Sequence, residues 1–136
     1  MERFMDYFDV PYNHANVHND IISGQDMTLN GETIANQHQS IYPGTTDTYA
    51  HGQHVASTKP DVNHGVDIIQ NGHHTGVIAN DVYGHPGLYD TNFNQIANVD
   101  PSGNIHWILN HADPLSMSDQ VNLQQLKFAI ENNQSL

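Results

Sequence analysis

The chain has no cysteine. Disulfide frameworks, thiolate nucleophiles and cysteine-ligated zinc are therefore excluded, while the redox compartment stays open. Positive charge is also scarce: Lys and Arg number 3, against 15 Asp and Glu. Arg3, Lys59 and Lys127 cannot neutralise a row of phosphates, which argues against nucleic acid and against an anionic membrane surface as partners. No apolar run reaches the ~18 residues of a membrane-spanning helix. The opening residues, Met1-Glu2-Arg3-Phe4-Met5-Asp6, lack a signal-peptide pattern, so the sequence assigns no location. Charged residues are only 13% of the chain, too few for long surface helices. Apolar residues make up 37%, enough for one domain of 136 residues with a modest core.

Asn, Gln, Asp, Gly and His fill the remainder, and Asn, Asp and Gly are turn formers. They recur in order. An apolar β-branched residue, Ala and a small polar residue appear as Ile34-Ala35-Asn36, Val55-Ala56-Ser57, Ile78-Ala79-Asn80 and Ile96-Ala97-Asn98. A turn signal precedes each: Asn30-Gly31, His51-Gly52, Asn71-Gly72 and the degenerate Asn92-Phe93. Asn-Gly tolerates the two positive φ angles of a type I′ hairpin. A period of about twenty residues holds two short strands and two turns, and is too short for a helical repeat. No such hairpin buries its apolar face alone, so the copies must pair or stack.

The predicted class is mainly β. Tandem hairpin repeats of about twenty residues form a meandering antiparallel sheet or a small barrel or solenoid. Within one domain, residues 1–18 form a docking segment, 19–110 the hairpin repeats and 113–132 a C-terminal helix. Phe4, Tyr7 and Phe8 stand at i, i+3, i+4, which predicts a short helix ending by Pro11. A weaker first copy is expected at 19–30, with Ile21-Ile22 and Met27–Leu29 as strands. Ile105–Leu109 holds the only Trp and reads as a buried last strand. Asn98, Asp100, Ser102 and Gly103 match part of a calcium loop, but Leu109 replaces its bidentate Glu; the segment is read as a turn. The last helix starts at Asp113-Pro114 or at Ser116 with Asp119. Leu123, Leu126 and Ile130 line one face and Val121 and Phe128 the other, so it needs two partners, a sheet edge or another chain.

The 11 histidines carry the chemistry. An ordinary imidazole titrates near pH ~6.5. Mild acidification therefore removes most of the formal charge of −12 and predicts altered solubility or association. His14 and His18 have zincin spacing, but Ala15 stands where the catalytic Glu belongs. His54 and His74 each lie two residues after a turn glycine. His64 and His85 each lie seven residues before a turn Asn. Stacked repeats would align these pairs into ladders able to hold Zn or Ni. No G-x-S-x-G, P-loop or H-E-x-x-H occurs. The sequence favours a non-enzymatic structural or protein-binding protein without a cofactor, self-associating and pH-responsive as a homo-oligomer. The alternative is a histidine-based divalent-metal binder or metal-dependent hydrolase.

Overall fold

The computed structural model describes residues 7–9, 11–20, 24–42, 44–61, 65–108 and 116–131. Its strands are β1 (Tyr7–Asp9), β2 (Asn16–Asp20), β3 (Gly24–Leu29), β4 (Glu32–Gln39), β5 (Thr46–Ala50) and β6 (Gln53–Asp61). They continue as β7 (Gly65–Gln70), β8 (His73–Asn80), β9 (Pro86–Tyr89), β10 (Gln95–Val99) and β11 (Ile105–Ile108). A 3-10 turn, Pro11–His14, separates β1 from β2, and helix α1 spans Met117–Glu131. The protein is mainly β: one meandering antiparallel sheet in the order β1-β11-β10-β9-β8-β7-β6-β5-β4-β3-β2.

The hairpins follow from their turns. Asn30-Gly31 has φ of 54° and 82°, His51-Gly52 53° and 80°, and Asn71-Gly72 52° and 76°. Two left-handed residues twist the flanking strands correctly for pairing. Just beyond each turn the register slips. Tyr49 pairs with His54 but Thr48 with Ala56; Ile69 pairs with His74 but Ile68 with Gly76. The same slip separates Thr28↔Thr33 from Met27↔Ala35, and Gln95↔Tyr89 from Leu88↔Ala97. One residue is left over each time: Ile34, Val55, Thr75 and Ile96, a β-bulge.

The bulges correct the sequence alignment. The third copy is Thr75-Gly76-Val77, not Ile78-Ala79-Asn80. Register is counted from the turn, and Ile78-Ala79-Asn80 lies three residues too far along. Correct alignment reveals a buried pair in each hairpin: Met27 with Ala35, Thr48 with Ala56, Ile68 with Gly76 and Leu88 with Ala97. At Gly76 the small partner makes room for α1. A Cβ on Gly76 would lie 3.0 Å from Asn122 Nδ2 and 3.3 Å from the Tyr89 carbonyl oxygen.

The sheet is open in its hydrogen bonds, with β1 and β2 as its edges. It is not flat. Eleven flat strands would set those edges roughly 48 Å apart, whereas the chain from Asp9 to Asn16 spans at most about 25 Å. The sheet therefore rolls, and α1 lies in the roll with Val121 through Phe128 all buried. Leu123, Leu126 and Phe128 join Met27, Ile68, Ile78, Leu88, Ile105 and Trp107 in one core. The two apolar faces were expected to need a sheet edge or another chain; the helix instead fills the concave face of the sheet, which satisfies both. Its polar residues bond inward. Asn122 Oδ1 accepts from Gln70 Nε2 at 2.9 Å and Thr75 Oγ1 at 3.1 Å, and Gln124 Nε2 donates to the Tyr12 hydroxyl at 3.3 Å. Buried Lys127 meets Glu131 at 3.0 Å. Ser116 caps the helix, its Oγ accepting the Asp119 N–H at 3.0 Å.

The N-terminal helix prediction is overturned where it is described: Tyr7–Asp9 is a strand paired with Ile108–His106 of β11. Pairing with β11 outweighs the aromatic spacing. The first copy begins earlier than expected, at Asn16–Asp20; Ile21 and Ile22 lie outside the described residues. At the seam Asn13 substitutes for a strand: its Nδ2 donates to the Ile105 oxygen at 3.0 Å and its Oδ1 accepts the Ile105 N–H at 2.6 Å.

Candidate functional site

On the outer face, His54 Nε2 lies 3.0 Å from Ser57 Oγ and 3.4 Å from Asp47 Oδ1. Ser57 Oγ itself donates to Asp47 Oδ1 at 2.8 Å. His38 stacks on Tyr49 with centroids 5.2 Å apart, and Tyr49 meets His54 edge-on at 5.3 Å. The composition is that of a nucleophilic triad; the wiring is not. A triad places hydroxyl and carboxylate on opposite ring nitrogens. Here both address Nε2, and the serine proton is given to the carboxylate, so Ser57 is not activated.

His74 repeats only the His–Asp contact, with Nε2 3.3 Å from Asp67 Oδ1, and Val77 stands opposite Asp67 where Ser57 stands opposite Asp47. Asp67 Oδ1 is buried, and the approach lacks hydrogen-bond geometry. His74 is level with Ile69, and Ile69 with Ser57. His54 and His74 therefore stand two strands apart, roughly 10 Å across the sheet, and offset along it. Each addresses the carboxylate of its own hairpin. His85 is exposed in the β8–β9 turn, and His64 lies outside the described residues. His14 sits in the 3-10 turn and His18 on β2, so no single helix carries them. Among the described residues, no group of three His, Asp or Glu side chains converges as a metal site.

The two ends of the roll differ. The Asn-Gly-type turns lie at one, the hairpin end. The β4–β5 and β8–β9 connections lie at the other, the mouth end. Asp81 builds the second of these: its carbonyl accepts the Gly84 N–H at 3.0 Å, and its Oδ1 accepts Tyr83 N–H at 2.9 Å and His85 N–H at 3.0 Å. Asp100 builds the same turn between β10 and β11 at this end, and Asp90 builds it between β9 and β10 at the hairpin end. Phe93, at φ 63°, takes the place held by Gly84 and Gly103, and stacks on Tyr89 at 4.5 Å. The Asp100 carboxyl is held below its ordinary value, first by the His106 hydrogen bond at 2.8 Å and then by the Asn104 N–H. In the β4–β5 loop, Ser40 N–H bonds the Thr45 oxygen at 2.8 Å and Ser40 Oγ accepts the Tyr42 N–H at 3.2 Å. These tied turns hold apolar tips in solvent: Ile41 is 89% exposed, Tyr42 68%, Val82 93% and Tyr83 81%.

A cavity of about 420 Å³ opens at the same end, between the C-terminal half of α1 and the strand ends. Pro60 helps create it. It has no N–H to offer β5, and the β5–β6 ladder stops at Thr46↔Thr58 while β6 runs on beside β7. Gln25, Gln37, Thr46, Thr58 and Gln125 supply polar lining; Val66, Ile78 and Ala129 supply aliphatic walls. Gln125 Oε1 accepts from Thr48 Oγ1 at 2.9 Å and from Gln37 Nε2 at 3.2 Å. Its Nε2 is buried without a partner. Sequence reasoning missed these residues because glutamines in a Gln- and Asn-rich chain carry no distinguishing signal.

No known protein family matches the chain, and neither the curated proteins nor the solved structures compared with it gave a match.

Proposed function

We propose that this is a non-enzymatic protein-binding module whose mouth end is the docking face. The observation that carries it is the exposure of Ile41, Tyr42, Val82 and Tyr83 at one end, on hydrogen-bonded turns. The two tips stand four strand spacings apart, about 19 Å along the sheet, a reach suited to a protein surface. Tyrosine supplies apolar area at low entropic cost and is enriched at interfaces. The net charge of −12 selects a partner with an apolar groove ringed by Lys and Arg, and at neutral pH opposes docking of a second copy.

The test is quantitative binding of a purified partner to wild type, to the double variant Tyr42→Ser/Tyr83→Ser and to the hairpin-end variant His51→Asn. At least tenfold weaker binding by the mouth variant alone is expected, and equal weakening by His51→Asn would sink the reading. Acidification is a second arm. Protonated histidines offset the negative charge, so copies should associate through the same tips between about pH 7 and 5. Light scattering that stays flat across that window counts against the pH response. Histidine-based uptake of Zn or Ni is the alternative function; calorimetric titration of wild type against His54→Ala and His74→Ala decides it.

A further inference from the structure

We infer that Asn30 is a site of spontaneous backbone modification, converted by water to aspartyl and isoaspartyl forms, and that helix α1 shields Asn71, the same motif in the same turn. The inference is independent of protein docking, because both turns lie at the hairpin end. Asn30 and Asn71 are the only asparagines of the chain followed by glycine. The reaction begins when the glycine nitrogen attacks the asparagine Cγ. A bond forms from that nitrogen to Cγ, the Cγ–Nδ2 bond breaks, and ammonia leaves with the proton of the peptide N–H. Water then opens the cyclic imide at either carbonyl carbon, and the nitrogen regains a proton. Water has replaced ammonia, and the product is an aspartyl or isoaspartyl carboxylate. Glycine brings no side chain to block the attack. Both asparagines are exposed, and a Cβ on Gly31 or Gly72 would meet nothing within 4 Å, so neither turn is walled in.

The two motifs share their reacting atoms and their φ angles. A type I′ turn sets the glycine nitrogen nearly trans to the asparagine Cβ, out of reach of Cγ. Attack therefore waits for the turn to open, and its rate reads local stability. In that respect the turns differ. Gln70, just before Asn71, donates through Nε2 to the Ser118 oxygen at 3.0 Å and to Asn122 Oδ1 at 2.9 Å. On the returning strand, Thr75 Oγ1 donates to Asn122 Oδ1 at 3.1 Å, and the Thr75 oxygen accepts from Asn122 Nδ2 at 3.1 Å. Both flanks of this turn are thus fastened to α1. The equivalent flanks of Asn30 are Leu29 and Ile34, half-buried against the core and without a polar side-chain atom to fasten. Strands β3 and β4 also lie beside the edge strand β2, whereas β7 and β8 are central. Of the two products, aspartyl keeps the left-handed tolerance of asparagine. Isoaspartyl adds a methylene to the main chain of a two-residue turn, from which the Met27↔Ala35 register is counted.

Incubation of the full chain in neutral buffer at physiological temperature tests this, with peptide mapping by mass spectrometry over several weeks. Asn30 is expected to convert about fivefold faster than Asn71, or more. In concentrated urea, where opening no longer limits either site, the two rates should agree within about twofold. Asn122→Ala releases Gln70 and Thr75 and should raise the Asn71 rate about fivefold while leaving Asn30 unchanged. Gln70→Met removes only the bonds before the turn, and should raise the Asn71 rate in the same direction if Asn122→Ala fails to fold. The inference is overturned by equal rates in the folded chain, by faster conversion of Asn71, or by a difference that survives in urea. It is also overturned if folded Asn30 stays intact while the urea-treated chain converts, or if the folded variants leave the Asn71 rate unchanged.

Discussion

At the hairpin end the strands turn back through Asn30-Gly31, His51-Gly52 and Asn71-Gly72. At the mouth end they turn through loops tipped by Ile41-Tyr42 and Val82-Tyr83. A two-residue turn needs positive φ at both positions, which confines it to residues such as Asn, His and Gly and leaves no place for an aliphatic or aromatic tip. A longer loop tied by Asp81 or Ser40 satisfies its backbone and still holds two side chains in solvent. The Asn-Gly-type turns thus serve folding, and the mouth-end loops also present side chains; the Asp90-tied β9–β10 turn at the hairpin end holds Phe93, 49% exposed, against Tyr89. The glycines divide by packing: turn glycines at both ends, Gly72 and Gly84 among them, stand in open space, and Gly65 at the start of β7 does not. A Cβ on Gly72 would meet nothing within 4 Å, whereas a Cβ on Gly65 would lie 2.2 Å from the Ile78 oxygen.

The largest expected effect compares those two glycines. Gly72→Ala should lose only the left-handed preference, about 1–2 kcal/mol. Gly65→Ala carries the same strain at φ 92° and a collision with β8 backbone, and should lose more, about 3 kcal/mol or beyond. Urea denaturation reads both, and equal losses would break the contrast between a turn glycine in open space and one packed against a neighbouring strand. Asn71→Ala comes next, at about 1 kcal/mol in the same assay, because alanine tolerates positive φ less well than asparagine. Tyr42→Ser/Tyr83→Ser should leave stability within about 0.5 kcal/mol, since exposed tips contribute little to the core. A large loss of stability there would mean the tips are structural.

The smallest effect is a pH dependence. The Asp100 carboxyl is depressed in the folded state below its ordinary 3.8, chiefly by His106. A depressed carboxyl contributes stability above that ordinary value and loses it as pH falls through the folded one. Asp100→Asn should therefore melt lower than wild type near neutral pH, and the difference should close in acid below about 3.8. His106→Gln should remove the greater part of the same difference. A gap between wild type and Asp100→Asn that persists through the acid range would contradict this assignment.

Several elements were legible because their signals are local. Asn-Gly pairs announce hairpins through φ alone, Ser116 caps with its own hydroxyl, and the run around Trp107 is too apolar to stay exposed. The Asp100 segment read correctly as a turn, and the two-faced pattern of Leu123, Leu126, Phe128 and Val121 correctly demanded contact on both sides. Other features were hidden because they depend on distant chain. Tyr7–Asp9 is a strand only because β11 waits for a partner. The third copy misaligned because Ile78-Ala79-Asn80 imitates the trio while the bulge is set by distance from Gly72.

The sequence alone determined a row of hairpins, their period, their turn types and a helix needing cover on two sides. Each of these depends on backbone preference or on apolar spacing within a few residues. Only the tertiary structure decided that the row rolls around that helix, because the short link between β1 and β2 acts on the whole sheet at once. Rolling gathered Gln25, Gln37, Thr58 and Gln125 around one cavity and raised Ile41-Tyr42 and Val82-Tyr83 at one mouth. Hairpin register, not rolling, set His54 beside Asp47 and apart from His74.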